Sequence, residues 1–95
     1  MKIPSKIKIS GHDIKIVKKK NLFSDGERVW GLAYLHLNKI ELATDLLPES
    51  KIAETFIHEV LHIICAIHGI SITEKENQAI ALSLFQVLRD NKLKF

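Results

Sequence analysis

The stretch FIHEVLHIICAIHG, Phe56 to Gly69, constrains this chain more than any other part of it. It is apolar almost all the way round, which predicts a central buried helix, yet it carries His58, Glu59 and His62 in its middle. An unpaired polar group in such surroundings costs roughly 2–7 kcal/mol, and an ionised carboxylate more. Ile57, Val60, Leu61, Ile63 and Ile64 leave no wide polar face on which the three could simply be solvated. Residues four apart lie on one helix face about 6 Å from each other, so His58 and His62 can present two imidazole nitrogens to one point. That point suits a metal ion. Glu59 sits one residue round, badly placed to be a third ligand but well placed to touch water there, as a general base would.

His58-Glu59-Val60-Leu61-His62 is the pattern H-E-x-x-H, and on it the chain resembles the zincin metallopeptidases. The resemblance implies Zn²⁺, a peptide or protein substrate, and Glu59 as the group that takes a proton from water during hydrolysis. A catalytic zinc usually has three protein ligands, so a third is expected outside the pair. His68 extends the spacing to H-E-x-x-H-x-x-C-x-x-H, similar to the metzincins. Cys65, however, stands where they have a turning glycine, and no methionine follows the motif. On a continuous helix His68 lies about 9 Å along the axis from His62 and roughly 120° round, and reads better as a helix-end histidine favoured by the dipole. The histidine spacing also resembles that of the ribosomal-RNA-maturation endonucleases, which carry glycine at the position of Glu59. Cys65 is expected as a small core residue.

The following helix is the preferred source of the third ligand. Gly69 is a natural stop for the first helix, which should begin near Pro48 and Glu49, and the short connection Gly69–Ile72 predicts a helical hairpin. Ala79, Ile80, Leu84, Val87 and Leu88 form the expected packing stripe of a helix from Glu76 to about Asp90. Glu76 precedes Ile80 and Leu84 at four-residue spacing, which aims it along that stripe and makes it the expected ligand. Thr73-Glu74-Lys75-Glu76 is also a capping box that would occupy Glu76, while Ser71-Ile72-Thr73-Glu74 is a second possible box, so Glu74 stays open as an alternative. A ligand glutamate on a separate helix resembles the gluzincins, and the compact minigluzincin-like phage and archaeal families span nearly this length. Glu76-Asn77-Gln78-Ala79 is similar to the E-x-x-A start of the ligand helix in regulatory peptidases that cleave phage-type repressors.

The amino-terminal half reads as a sheet. Ile7 and Ile9 alternate with Lys6 and Lys8, Ser10-Gly11-His12-Asp13 supplies a turn, and Ile14–Val17 returns, giving a hairpin in which His12 is a turn residue. Lys18 to Arg28 reads as a loop. Val29–Leu37 is too apolar for simple alternation and predicts a strand covered on both sides, with Trp30, Leu32, Tyr34 and His36 on one face. Ile40–Ala43 is the next strand. The resemblance to zincins makes one of these two the edge that takes an extended substrate, with Tyr34 and His36 as candidates to assist an oxyanion, although packing roles are preferred for both.

Charge is uneven: the first 20 residues hold seven lysines against Asp13, in a chain of net charge +3. A solvated edge hairpin guarded by lysines is preferred to a nucleic-acid contact. No apolar run approaches 18 residues and no signal-peptide pattern opens the sequence, so the expectation is a soluble cytoplasmic protein with no membrane partner. Leu93 and Phe95 close the chain either as a frayed end or as a plug lying in the cleft and keeping the enzyme latent.

The expectation is therefore one zincin-like domain over residues 1–95, of α+β class, in which a three- to four-stranded sheet packs on the H-E-x-x-H helix and a second, glutamate-bearing helix. His58, His62 and Glu76 hold Zn²⁺ and Glu59 is catalytic. Two other readings stay open: a zinc-stabilised module that binds protein or nucleic acid without catalysis, and a metal-free interaction domain.

Overall fold

The structure is a computed structural model and describes residues 2–45 and 47–92; Leu93 and Phe95, and with them the expected plug, lie outside the described residues. Alternating isoleucines build the first hairpin as read: β1 (Lys6–Ile9) and β2 (His12–Lys19) pair antiparallel, Ile7 opposite Ile14. The turn between them places both Ser10 and Gly11 at positive φ, the two-residue geometry whose twist matches the strands. The expected loop contains a second, minimal hairpin, β3 (Phe23–Ser24) with β4 (Glu27–Arg28), closed by Asp25-Gly26, again at positive φ.

The apolar run after it behaves differently from expectation. Only Gly31–Tyr34 (β5) is strand; Leu35–Leu37 coils into a 3₁₀ turn that ends at Asn38 in the left-handed region. β6 (Lys39–Ala43) then runs antiparallel to β5 and parallel to β2, so the sheet is mixed, in the order β1-β2-β6-β5. β6 is interior, with Ile40 and Leu42 fully buried, while β5 is an edge strand whose four residues are all half-buried. Trp30, Leu35 and Leu37 of the run are exposed, and its strand pairs on one side with β6. It is not a covered central strand.

One face of the sheet carries Ile9, Ile14, Ile16, Ile40 and Leu42 and packs on α1 (Glu49–His68), through Ala53, Phe56, Ile57 and Ile63. The opposite face centres on Glu41, which is buried beneath Lys19, Lys39 and Tyr34. α1 ends where Gly69 adopts a positive φ and returns its N–H to the Cys65 carbonyl.

α2 (Glu74–Asn91) packs on α1 through Asn77, Ala81 and Phe85. The expected stripe is thus rotated: Leu88 packs partly against the core, but Ala79, Ile80, Leu84 and Val87 are exposed. The sequence offers an apolar arc wider than one helix neighbour can cover, and the covered face is that of Asn77, Ala81 and Phe85. The chain is thus α+β, a small mixed sheet and two helices, and among the described residues no helix is long and apolar enough to cross a membrane.

This packing separates two substitutions that the sequence alone would treat alike. Phe85→Ala is expected to lower the unfolding free energy by about 3–5 kcal/mol. Ile80→Ala, at an exposed site, should cost about 1 kcal/mol or less. Urea unfolding of the two variants checks the register; equal losses would contradict it.

Candidate metal centre

The histidine pair converges as its spacing requires. The Nε2 atoms of His58 and His62 are 3.2 Å apart, and their rings meet edge to face. The third group is Glu74: its Oε2 lies 3.2 Å from His58 Nε2 and its Oε1 2.9 Å from His62 Nε2. These three residues are the group of the described residues able to hold an ion.

Glu76, the expected third ligand, is not with them. Its carboxylate accepts from the Thr73 N–H at 2.7 Å while its own N–H donates to Thr73 Oγ1 at 3.1 Å, a complete capping box. These bonds hold its carboxyl below the usual carboxylate range. The cap decides the matter: with Thr73 as N-cap, Glu76 is the third helical residue and turns back to the helix end, whereas Glu74, the first, points across to α1. The signal was in the sequence. The T-x-x-E box, taken as the stronger of the two, releases Glu74.

The donor set fits a tetrahedral cation. Two imidazole nitrogens bonded to zinc at about 2.0–2.1 Å lie roughly 3.3 Å apart, close to the spacing found here. Protons alone satisfy the arrangement poorly. If both Nε2 atoms carry hydrogen toward Glu74, two donors face each other across the N···N contact; if one does not, its lone pair meets those of the carboxylate. A cation accepts all three lone pairs at once. Burial holds His58 below the ordinary imidazole value, which keeps that lone pair free.

Glu59 is buried, at 6% exposure, on the side of α1 that meets β5. Its carboxylate lies against the backbone of Gly31: a Cβ there would come within 3.0 Å of Glu59 Oε2 and Cγ and 2.9 Å of Thr55 Cγ2. Glycine is required at this position by close approach. Burial first, and then the charge of Glu74, push the Glu59 carboxyl up to about 7. A cation beside it would draw it back toward the ionised form that a base needs.

A cleft runs past both sides of the site. One lobe, of about 270 Å³, is bounded by Arg28, Trp30, Lys51 and Thr55; the other, of about 400 Å³, by Ala33, Leu35, Ile63 and Ala66; Gly31, His58, Glu59 and Glu74 line both. Trp30 is half-exposed at the rim, with Lys51 Nζ 4.8 Å from its ring centre. Trp30 and Gly31 belong to the run offered by the sequence as a candidate cleft edge, but no motif marks the first as a rim residue or the second as a close approach.

The remaining candidates lie elsewhere. The Tyr34 hydroxyl donates to Glu41 Oε1 at 3.0 Å on the far face of the sheet, so it is not available to an oxyanion in the cleft. Burial opposes the charge on Glu41, but bonds from Lys19, Tyr34 and Lys39 outweigh it and hold its carboxyl low. His36 is exposed on the 3₁₀ turn and lines neither lobe. His68 meets Ser10 Oγ at 3.0 Å and ties the first turn to the end of α1. Cys65 is a free, half-buried thiol outside the cluster. Comparison of the chain with protein-family models, with curated proteins and with solved structures finds no match.

The raised Glu59 carboxyl makes a stability prediction for the protein kept in chelator. Between its ordinary value of 4.5 and about 7, the folded state holds a proton that the unfolded chain has released. Stability therefore falls as pH rises through that window, by an amount on the order of 3 kcal/mol. Glu59→Gln removes this slope, and unfolding curves at pH 4.5, 6 and 8 should show the variant gaining on the wild type as pH rises. Parallel pH profiles would mean that the carboxylate is hydrated.

Proposed function

We propose that this chain is a zinc-dependent peptidase of zincin-like layout, with His58, His62 and Glu74 as the residues that hold the ion and Glu59 as general base. One observation carries the reading: three lone-pair donors from two helices, two imidazoles and a carboxylate, come together beside a second, buried carboxylate that is left out of the set. Two imidazoles and a carboxylate are a donor set of catalytic zinc, leaving a position open. Bound there, the ion supplies Lewis acidity, lowering the pKa of water toward about 7 and polarising a carbonyl.

The chain's own residues supply the rest. Glu59 accepts a proton from water in the cleft and returns it to the departing amine, so no net proton is consumed at the carboxylate. Gly31 lets β5 approach closely enough to hold Glu59 against the site and away from bulk water. β5 also favours an extended peptide as substrate. The Ala43 N–H donates to the Trp30 carbonyl at 2.8 Å, which fixes Trp30, Leu32 and Tyr34 as the residues bonded to β6. The N–H and C=O groups of Gly31 and Ala33 then face away from β6, free to pair with an added strand.

Metal analysis together with peptide hydrolysis tests the reading. Wild type and Glu76→Ala should each bind one equivalent of zinc, the latter with a loss of about 0.5–1.5 kcal/mol of stability from the missing Thr73 N–H bond to its carboxylate. Glu74→Ala should lose most of the metal. Glu59→Gln should keep the metal and lose about 10²- to 10⁴-fold in kcat, and Gly31→Ala should follow it in the same direction by displacing Glu59. Turnover at wild-type level in Glu59→Gln would remove the mechanism. Zinc bound without hydrolysis of any peptide would leave a zinc-stabilised binding module instead.

A further inference from the structure

Asn77 is fully buried between α2 and α1, at 0% exposure, one turn after Glu74 on the same side of α2. Its Nδ2 donates to the main-chain carbonyl of His58 at 3.3 Å, and its Oδ1 is buried without a partner. For stability alone this is a poor choice. An amide whose oxygen has no partner is worse in an apolar interface than an apolar side chain of similar shape. The His58 carbonyl does not need the bond either, since it lies inside a regular helix with the His62 N–H one turn on. What the amide does supply is register. Its neighbours in the interface, Ala81 and Phe85, are apolar and would tolerate sliding, and a single buried asparagine at a helix seam penalises every alternative alignment.

We propose that Asn77 is a positioning residue that fixes the register of α2 on α1, and through it the reach of Glu74 to His58 and His62. The proposal rests on the metal site described above. The bond ends on the residue whose side chain is the first histidine of the cluster, so the same link that docks α2 also sets the separation between His58 and Glu74. A shift of α2 by one residue moves Glu74 about 1.5 Å along the axis and turns it by about 100°, out of range of both imidazoles. Glu74 cannot hold the register itself, because its side chain is 71% exposed and it stands in the first turn of the helix.

The test is zinc affinity measured by competition with a chromogenic chelator, beside urea unfolding of the metal-free protein. Asn77→Leu is expected to be as stable as the wild type or more so without metal, yet to bind zinc about 10- to 100-fold more weakly, the range for a residue that orients a ligand. A purely structural role predicts the opposite pair, lower stability with unchanged affinity, and overturns the proposal. A double-mutant cycle with Glu74→Ala provides the second reading. Asn77→Leu should change nothing further in that background, and an additive loss would show that it acts by another route. Should the wild type itself bind no zinc, the metal-site reading fails, whereas equal affinities in wild type and Asn77→Leu sink only this one.

Discussion

The burial of Glu59 between two partly enclosed histidines, His58 and His62, in the middle of α1 is the constraint on which the other elements depend. A helix so apolar has to be covered, by the sheet on one side and α2 on another, and each covering element must then reckon with the polar groups it encloses. The three groups meet different solutions. The two imidazoles face one another and share Glu74, while Glu59, turned toward β5, has no equivalent partner and shifts its proton affinity instead. Proton affinity and coordination are alternative answers to the same desolvation cost.

The sheet responds to Glu59 through a missing side chain. β5 is at the edge, where its outward main-chain groups remain accessible, and at Gly31 it comes so close to α1 that a methyl group would collide with Thr55 and Glu59. A longer, central strand at this place would shield Glu59 equally well but would close the edge. The 3₁₀ turn at Leu35–Leu37 ends the strand after Tyr34 and sends the chain back as β6, which pairs with one side of β5 and leaves it at the edge. The polar network around Glu41 on the far face then anchors β5 and β6 together without involving the cleft.

Much of this was legible in the sequence, for identifiable reasons. The first hairpin follows from period-two isoleucines, and α1 from its unbroken apolar run ending in Gly69. His58 and His62 can converge because i, i+4 geometry places them on one helix face. What escaped depends on relations between elements. Asn38 is a natural turn residue, but Val29–Leu37 is as apolar as a central strand, and nothing local says that the strand stops at Tyr34 and coils through Leu35–Leu37. In α2 the sequence places Ile80, Leu84 and Val87 on a stripe as credible as that of Asn77, Ala81 and Phe85. Choosing the first stripe also made Glu76 the inward-facing acid. The capping box pointed the other way, and the hydrogen bonds of Thr73 follow the cap.

The third donor comes from a helix that packs chiefly on one neighbour. α2 leans on α1 and keeps an exposed apolar flank, so its docking free energy is spread over a narrow contact through Asn77, Ala81 and Phe85. His58 is nearly enclosed, at 17% side-chain exposure, whereas Glu74, at 71%, reaches the imidazoles from an exposed first turn of α2. An ion bridging the two would therefore contribute directly to the attachment of α2, because ligand binding to a folded site adds to the stability of whatever assembles that site. The amide of Asn77 at the His58 carbonyl makes this coupling specific, since it ties the aligned state of the two helices, and no other, to the geometry of the donors. Fold and site are linked at that bond. A chain of 95 residues has little core to spare, and here one polar contact sets both the packing of its last helix and the ligand set of its candidate centre.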